Sequence, residues 1–280
     1  MNIKITADST CDISVADLKR HNIDIFPLDV IVDGQAYKDG VDIFPADLIN
    51  AVEKEKKTCS TAAISIGDYW EKFEKYSKDY DAVIHISLGD GFSSCYNNAR
   101  MASEDMPNVY IVNSKSISSG QGGLVLYACD LVRSGFEPEE IVKILNETVD
   151  HVRFTFLIDG LEYLQRGGRC SAAIAIGANL LKIKPCIECV FGELEVGKKY
   201  RGAMNKCIRE YVKDQIEQKE NVDSRRAILV YLGIDKKTVE KTKQTLEESG
   251  KFDEVLCYEA GCTITSHCGP GTIGIYILDK

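Results

Sequence analysis

The chain has 280 residues, 44% of them hydrophobic, and 43 acidic against 34 basic side chains, a formal net charge of −9. That length and apolar content fill one or two ordinary cores. The acidic balance argues against nucleic acid and against an anionic membrane surface as the main partner, because phosphate would be repelled over much of the surface, so no more than transient membrane contact is expected. No apolar stretch reaches the roughly 18 residues of a spanning helix, and the amino end reads as a strand, not a secretion signal, so a cytoplasmic protein is expected.

Taken in chain order, residues 3–7 read as a strand and Ser14 as the N-cap of a helix over 15–19. Pro45 stands at a first helical position with Leu48, Ile49 and Val52 on one stripe, and a further helix is predicted over 68–77. The apolar run 82–88 reads as a buried parallel strand, and the Gly91-Phe92-Ser93 turn then leads into a helix over 94–104. A strand over 108–112 and helices over 123–133 and 138–149 complete a β-α alternation that calls for a parallel sheet wrapped by helices. Beyond a soft boundary near Asp150, strands are predicted over 153–158, 182–189, 226–232, 255–258 and 272–278, with helices over 202–217 and 237–248. A hairpin turning at Phe191-Gly192 makes this second sheet mixed. The fold class is therefore α/β with two domains, 1–150 and 151–280, and a ligand between them.

Eleven cysteines in an acidic chain without a signal read as reduced, buried small hydrophobes. Cys186 and Cys189 form the one C-x-x-C pair, but in a strand positions i and i+3 face opposite sides, so they do not chelate and no metal is expected.

Three positions carry candidate chemistry. Ser93 follows a buried strand, at the carboxyl end where open α/β sheets bind ligands. His267, one of four histidines, precedes the turn Gly269-Pro270-Gly271 and is itself read as a turn residue. With Thr61 they offer neutral donors suited to an acid head group, so a carboxylate-binding pocket is expected without catalytic residues or cofactor. Gly120 and Gly122 stand in a helix-like stretch where each glycine costs about 1 kcal/mol against alanine, implying close approach of a ligand or another chain segment; with Ser94 they are secondary ligand-contact candidates. Apolar segments 154–157 and 174–181 are candidates for a tail lining. Arg166 and Arg169, flanking two glycines, form a tight basic loop that a partner could grip. Gly91-x-Ser93-x-Cys95 falls one glycine short of a nucleophile elbow, and Ser93 before His267 fits hydrolase order, so a serine esterase of α/β type is the alternative.

Asp8-Ser9-Thr10-Cys11-Asp12, Thr61 to Gly67, Gly91-Phe92-Ser93, Asn113-Ser114-Lys115-Ser116, Leu161 to Ser171, Ile183-Lys184-Pro185, Tyr200-Arg201-Gly202 and His267-Cys268-Gly269-Pro270-Gly271, in that order across the whole chain, resemble the DegV family of bacterial fatty-acid-binding proteins. The resemblance implies a two-domain α/β protein, not itself an enzyme, that encloses one long-chain fatty acid. It further implies that the carboxylate is presented to a separate ATP-using fatty acid kinase, the ATP-binding subunit being the partner, to give an acyl phosphate. In the family the acid is held by the threonine, serine and histidine that match Thr61, Ser93 and His267. Gly89-Asp90-Gly91 stands where the family often has Ser-Ser-Gly, and Ala62 replaces a common serine; Asp90 is expected to face solvent, since a carboxylate facing the acid would repel it.

Overall fold

The computed structural model describes residues 1–168, 183–217 and 221–280. The apolar segment 174–181 and Arg169 lie outside the described residues. The first half runs β1 (Ile3–Asp8), α1 (Val15–Arg20), β2 (Asp24–Phe26), β3 (Asp29–Val32), β4 (Gln35–Lys38), α2 (Pro45–Ile49) and β5 (Cys59–Ala62). It continues through α3 (Ile66–Asp79), β6 (Ala82–Ser87), α4 (Cys95–Ala102), β7 (Val109–Asn113), α5 (Ser119–Arg133) and α6 (Pro138–Thr148). The second half runs β8 (Val152–Leu157), α7 (Glu162–Gly167), β9 (Ile183–Val190), β10 (Glu193–Arg201) and α8 (Met204–Glu217). It closes with β11 (Val222–Leu232), α9 (Lys236–Glu248), β12 (Val255–Glu259), α10 (Cys262–Cys268) and β13 (Thr272–Asp279).

Three sheets result among the described residues. The order β2-β1-β6-β7 is parallel throughout, and β10-β9-β8-β13-β11-β12 is antiparallel except for its last pair, so the fold is α/β with a parallel and a mixed sheet. β6 is buried along its whole length, as the apolar run 82–88 requires of a strand covered on both faces. All four parallel strands precede residue 150 and all six strands of the mixed sheet follow it; we propose a division into two units near Asp150. Between the two sheets lies α5, buried nearly all round, whose Leu124 and Val125 join Ile5 and Ile84 on one side and Phe154 and Tyr276 on the other in a single core.

Local chemistry explains the boundaries. Ser14 and Ser65 cap α1 and α3 by accepting from the backbone N–H of Asp17 and Asp68. Pro45 and Pro138 open α2 and α6. The β9–β10 hairpin turns at Phe191 and Gly192, both with positive φ (48° and 86°), the backbone a two-residue hairpin loop demands.

Two expectations need correction. His267 is not a turn residue but stands in the last turn of the helix α10. The sequence reading also missed a third sheet, antiparallel β4-β3-β5, which carries Thr61. Its hairpin loop was readable in the sequence: Asp33-Gly34 has φ 47° and 83° and follows the β-branched run Val30-Ile31-Val32 of β3.

Candidate functional site

In the parallel sheet β1 pairs with β2 on one side and β6 on the other, so successive connections part between the carboxyl ends of β1 and β6, a switch point where such sheets leave a crevice. Asp8 ends β1 there, fully buried. Its carboxylate accepts from Ser87 Oγ at 2.8 Å, from the Leu88 N–H at 2.7 Å and from the Tyr69 hydroxyl, and lies 3.2 Å from His85 Nε2. Burial pushes this carboxyl up, but His85 and the hydrogen bonds from His85, Tyr69 and Leu88 outweigh burial and hold it below its ordinary value. Asp8 thereby fixes where the chain leaves β6, and Leu88, Phe92 and Ser93 turn toward a cavity.

That cavity encloses about 820 Å³ not occupied by protein atoms, the open solvent at its mouth included. Its walls come from the small antiparallel sheet, the mixed sheet and a loop of the parallel one: Ala62 and Thr61 on β5, Phe154 and Phe156 on β8, Val230 on β11, and Leu88, Phe92 and Ser93 in the loop after β6. The lining is mostly apolar. Phe154 and Phe156 line it while Leu157 faces the opposite core, as strand alternation requires, so half of segment 154–157 serves as expected. One face of α10 supplies Thr263, Ile264, His267 and Cys268, with Ala260 just before it, a spacing of three, four, seven and eight residues from Ala260.

Thr61, Ser93 and His267 all line this cavity. Thr61 Oγ1 and His267 Nε2, 206 residues apart in sequence, share a hydrogen bond of 2.9 Å. The Ser93 hydroxyl donates to Cys95 Sγ at 3.2 Å and accepts from the Cys95 N–H at 3.3 Å, so Ser93, not Ser94, performs the capping at α4. Burial pushes the Cys95 thiol up to about 11, so it stays a neutral neighbour. In a serine hydrolase the nucleophile bonds to its imidazole; here the imidazole bonds to Thr61 and the serine to Cys95, which gives the esterase alternative no support.

The secondary candidates fall elsewhere. Ser94 is exposed, and neither it nor Gly120 nor Gly122 lines the cavity. A β-carbon on Gly120 would stand 2.0 Å from Ser116 Oγ, and one on Gly122 would stand 2.4 Å from the Cys11 carbonyl, so these glycines serve close packing of α5 against its neighbours. Asp90 is exposed, its backbone N–H donating to Asn113 Oδ1 at 3.4 Å. Cys186 packs into the core beneath α8 whereas Cys189 reaches toward Lys115, on opposite faces of β9. Among the described residues no group of His, Cys, Asp and Glu could hold a metal, and no helix is long and apolar enough to cross a membrane.

Ser118 and the separate tasks of Gly167 and Gly168 were not legible in the sequence. Ser118 lines the cavity with φ 56° and ψ −136°, a region sparsely used outside glycine, held there by the 2.6 Å hydrogen bond it donates to Asp12. Its signal was the polar run before α5, which alone does not reveal the strain. Gly167 lies against His267, and Gly168, with φ 65°, caps α7, so the two glycines between the arginines have separate structural tasks. Arg166 is exposed as expected, but it stands in the last turn of the helix α7 and not in a loop, its guanidinium 4.4 Å from the Tyr163 ring centroid.

Comparison with known proteins agrees with this fold. A family model described as "Uncharacterised protein, DegV family" matches residues 2–280. A DegV domain-containing protein from Caldanaerobacter subterraneus subsp. tengcongensis is 32% identical, over 99% of each chain. A solved DegV family protein from Thermus thermophilus, titled for its fatty acid binding, superposes with a TM-score of 0.91 at 29% identity over all of both chains. The Streptococcus pneumoniae Fatty Acid Kinase (Fak) B3 protein, solved loaded with linoleic acid, has a TM-score of 0.85 over all of both chains at 19% identity, a likeness of fold. With its whole length matched, the chain belongs to the DegV family.

Proposed function

We propose that the protein binds one long-chain fatty acid, with the tail in the apolar cavity and the carboxylate at Thr61, Ser93 and His267, and presents that carboxylate to a separate ATP-dependent fatty acid kinase in the cytoplasm. One observation supports this reading above the others: Thr61 and His267 share a hydrogen bond in the wall of a largely apolar cavity that Ser93 also lines. A palmitate-sized tail has about 14 methylenes, and at roughly 0.8 kcal/mol each its burial gains on the order of 11 kcal/mol before entropic losses. The tail can therefore supply the affinity.

The head group then needs only satisfied hydrogen bonds. Neutral donors satisfy it without the tight ion pair that an arginine clamp would impose, and leave an oxygen able to react. In the transfer this oxygen attacks the γ-phosphorus of ATP held by the partner, ADP leaves, and an acyl phosphate results; the chain itself acts as a binding protein and not as a catalyst. Fatty acid binding in the Thermus thermophilus relative supports the ligand class, and the name of the pneumococcal protein supplies the partner class to test.

The deciding experiment is mass spectrometry of the organic extract from purified, denatured protein. Fatty acid at one equivalent per chain is the expected result. An extract without it, together with labelling of Ser93 by a fluorophosphonate, would return the site to the hydrolases.

A further inference from the structure

The helix α10 has only seven residues, too few to hold itself in water, yet four of them line the cavity, the largest set from one element among the described residues. Its first turn is fixed from outside. The Gly261 N–H donates to Asp12 Oδ1 at 2.8 Å, the Cys262 N–H to Asp39 Oδ1 at 2.8 Å, and the Thr263 N–H to Asp39 Oδ2 at 3.0 Å. The Thr263 hydroxyl donates to the same Asp39 Oδ2 at 2.6 Å, and Ser9 Oγ adds another donor at 3.1 Å. Asp39 is 3% exposed and thus accepts four hydrogen bonds inside the protein. A carboxylate has the acceptor sites for four donors and a charge that suits a helix amino end; an amide or hydroxyl has neither.

Asp39 directly follows β4, the strand paired with β3, which in turn pairs with β5 and sets Thr61 opposite Val30. The small sheet therefore grips α10 twice: at its first turn through Asp39 and at its last through the Thr61–His267 hydrogen bond. A slip of α10 by one residue would translate it about 1.5 Å and turn it about 100°, carrying the imidazole off Thr61. We propose that Asp39 is a positioning residue for the head-group end of the cavity, setting the register of α10 at which His267 meets Thr61 and, on the reading of the site given above, on which this rests, the acid's carboxylate.

The test uses the full chain with Asp39→Ala and Asp39→Asn, each alone and combined with His267→Gln. Three quantities are followed: fatty acid retained through purification, the His267 imidazole resonances, and the melting temperature. Asp39→Ala should lower retention roughly tenfold and move the His267 resonances, with Asp39→Asn in between because it keeps one acceptor oxygen. In the His267→Gln background the same substitutions should lower retention no further, while the melting temperature falls equally in both backgrounds. Equal loss of retention in the two backgrounds, or unmoved imidazole resonances, would reduce Asp39 to a helix cap and overturn the proposal. Should Asp39→Ala fail to fold, Asp39→Asn decides by the same criteria. If the wild type carries no fatty acid, the reading of the site fails, and the imidazole resonances alone still decide the role of Asp39.

Discussion

A β-carbon on Gly167 would stand 2.2 Å from Nδ1 of His267, so the last turn of α7 can lie against the last turn of α10 only because position 167 has no side chain. Gly167→Ala must therefore push the imidazole aside or part the two helices. The expected cost is about 1–3 kcal/mol of stability, typical of overpacking, with a loss of fatty acid retention matching that of a His267 variant. Thermal unfolding and extraction measure the two effects. A variant with wild-type stability and retention would show that the contact is slack.

At the head group, Ser93→Ala or His267→Ala should weaken retention by about 1–3 kcal/mol, the cost of leaving a buried carboxylate short of a donor. The fold should survive, since the Ser93 hydroxyl, among the described residues, hydrogen-bonds to Cys95 alone and His267 sits at a helix end. Extraction under identical purification compares the variants. Unchanged retention in the double variant would remove these residues from the site.

Asp8 and Asp12, four residues apart, titrate in opposite senses. Asp8 is held below its ordinary value, so its contribution to stability is present above that value and is lost as the pH falls through its folded pKa. Asp12 is raised from 3.8 to about 7, chiefly by burial and further by Asp39, against the hydrogen bonds from Ser118 and Gly261. Its folded state holds the proton more tightly than the unfolded chain does. The resulting stabilisation is complete below about pH 4 and declines as the pH rises toward 7, by at most about 1.4 kcal/mol per pH unit. Asp12→Asn copies the protonated form, its amide reaching Ser118 and its oxygen accepting from Gly261. Its melting temperature should therefore change less between pH 5 and 8 than that of the wild type, and calorimetry at the two values checks it. Parallel pH dependence in both proteins would assign the titration to another group.

How much of this was legible in the sequence follows from the range of the forces involved. The exit of β6 toward Ser93 is a local signal: an apolar run long enough for a buried strand, ended by glycines. The identities of Thr61 and His267 were legible too, but their setting was not. Residues 262–268 are rich in threonine and carry no helical pattern of their own, because α10 is held by Asp12 and Asp39 from more than 200 residues away. The strand β5, Cys-Ser-Thr-Ala, has little β propensity and exists through its pairing with β3. The tasks of Gly167 and Gly120 likewise depend on side chains brought in from distant segments, which no local pattern encodes.

The final prediction concerns the kinase. Arg166 is exposed in the last turn of α7, stacked on Tyr163, and immediately precedes Gly167, the residue in contact with His267; it is thus a cation one residue from the contact that, on the proposed function, borders the head group, on a chain of net charge −9. Arginines so placed are frequent interface hot spots, and reversing the charge adds repulsion to the lost contact. Since Arg166 does not line the cavity, Arg166→Glu should leave the bound fatty acid in place while lowering acyl-phosphate formation by a partner kinase roughly tenfold or more. The remaining activity should also depend less steeply on salt, because steering between opposite charges is what salt screens. The assay pairs purified variant with kinase and ATP and follows acyl phosphate, with extraction as the control for loading. Phosphorylation at the wild-type rate and with wild-type salt dependence would leave Arg166 a solvated side chain on a capped helix and move the search for the docking surface to another face of the cavity mouth.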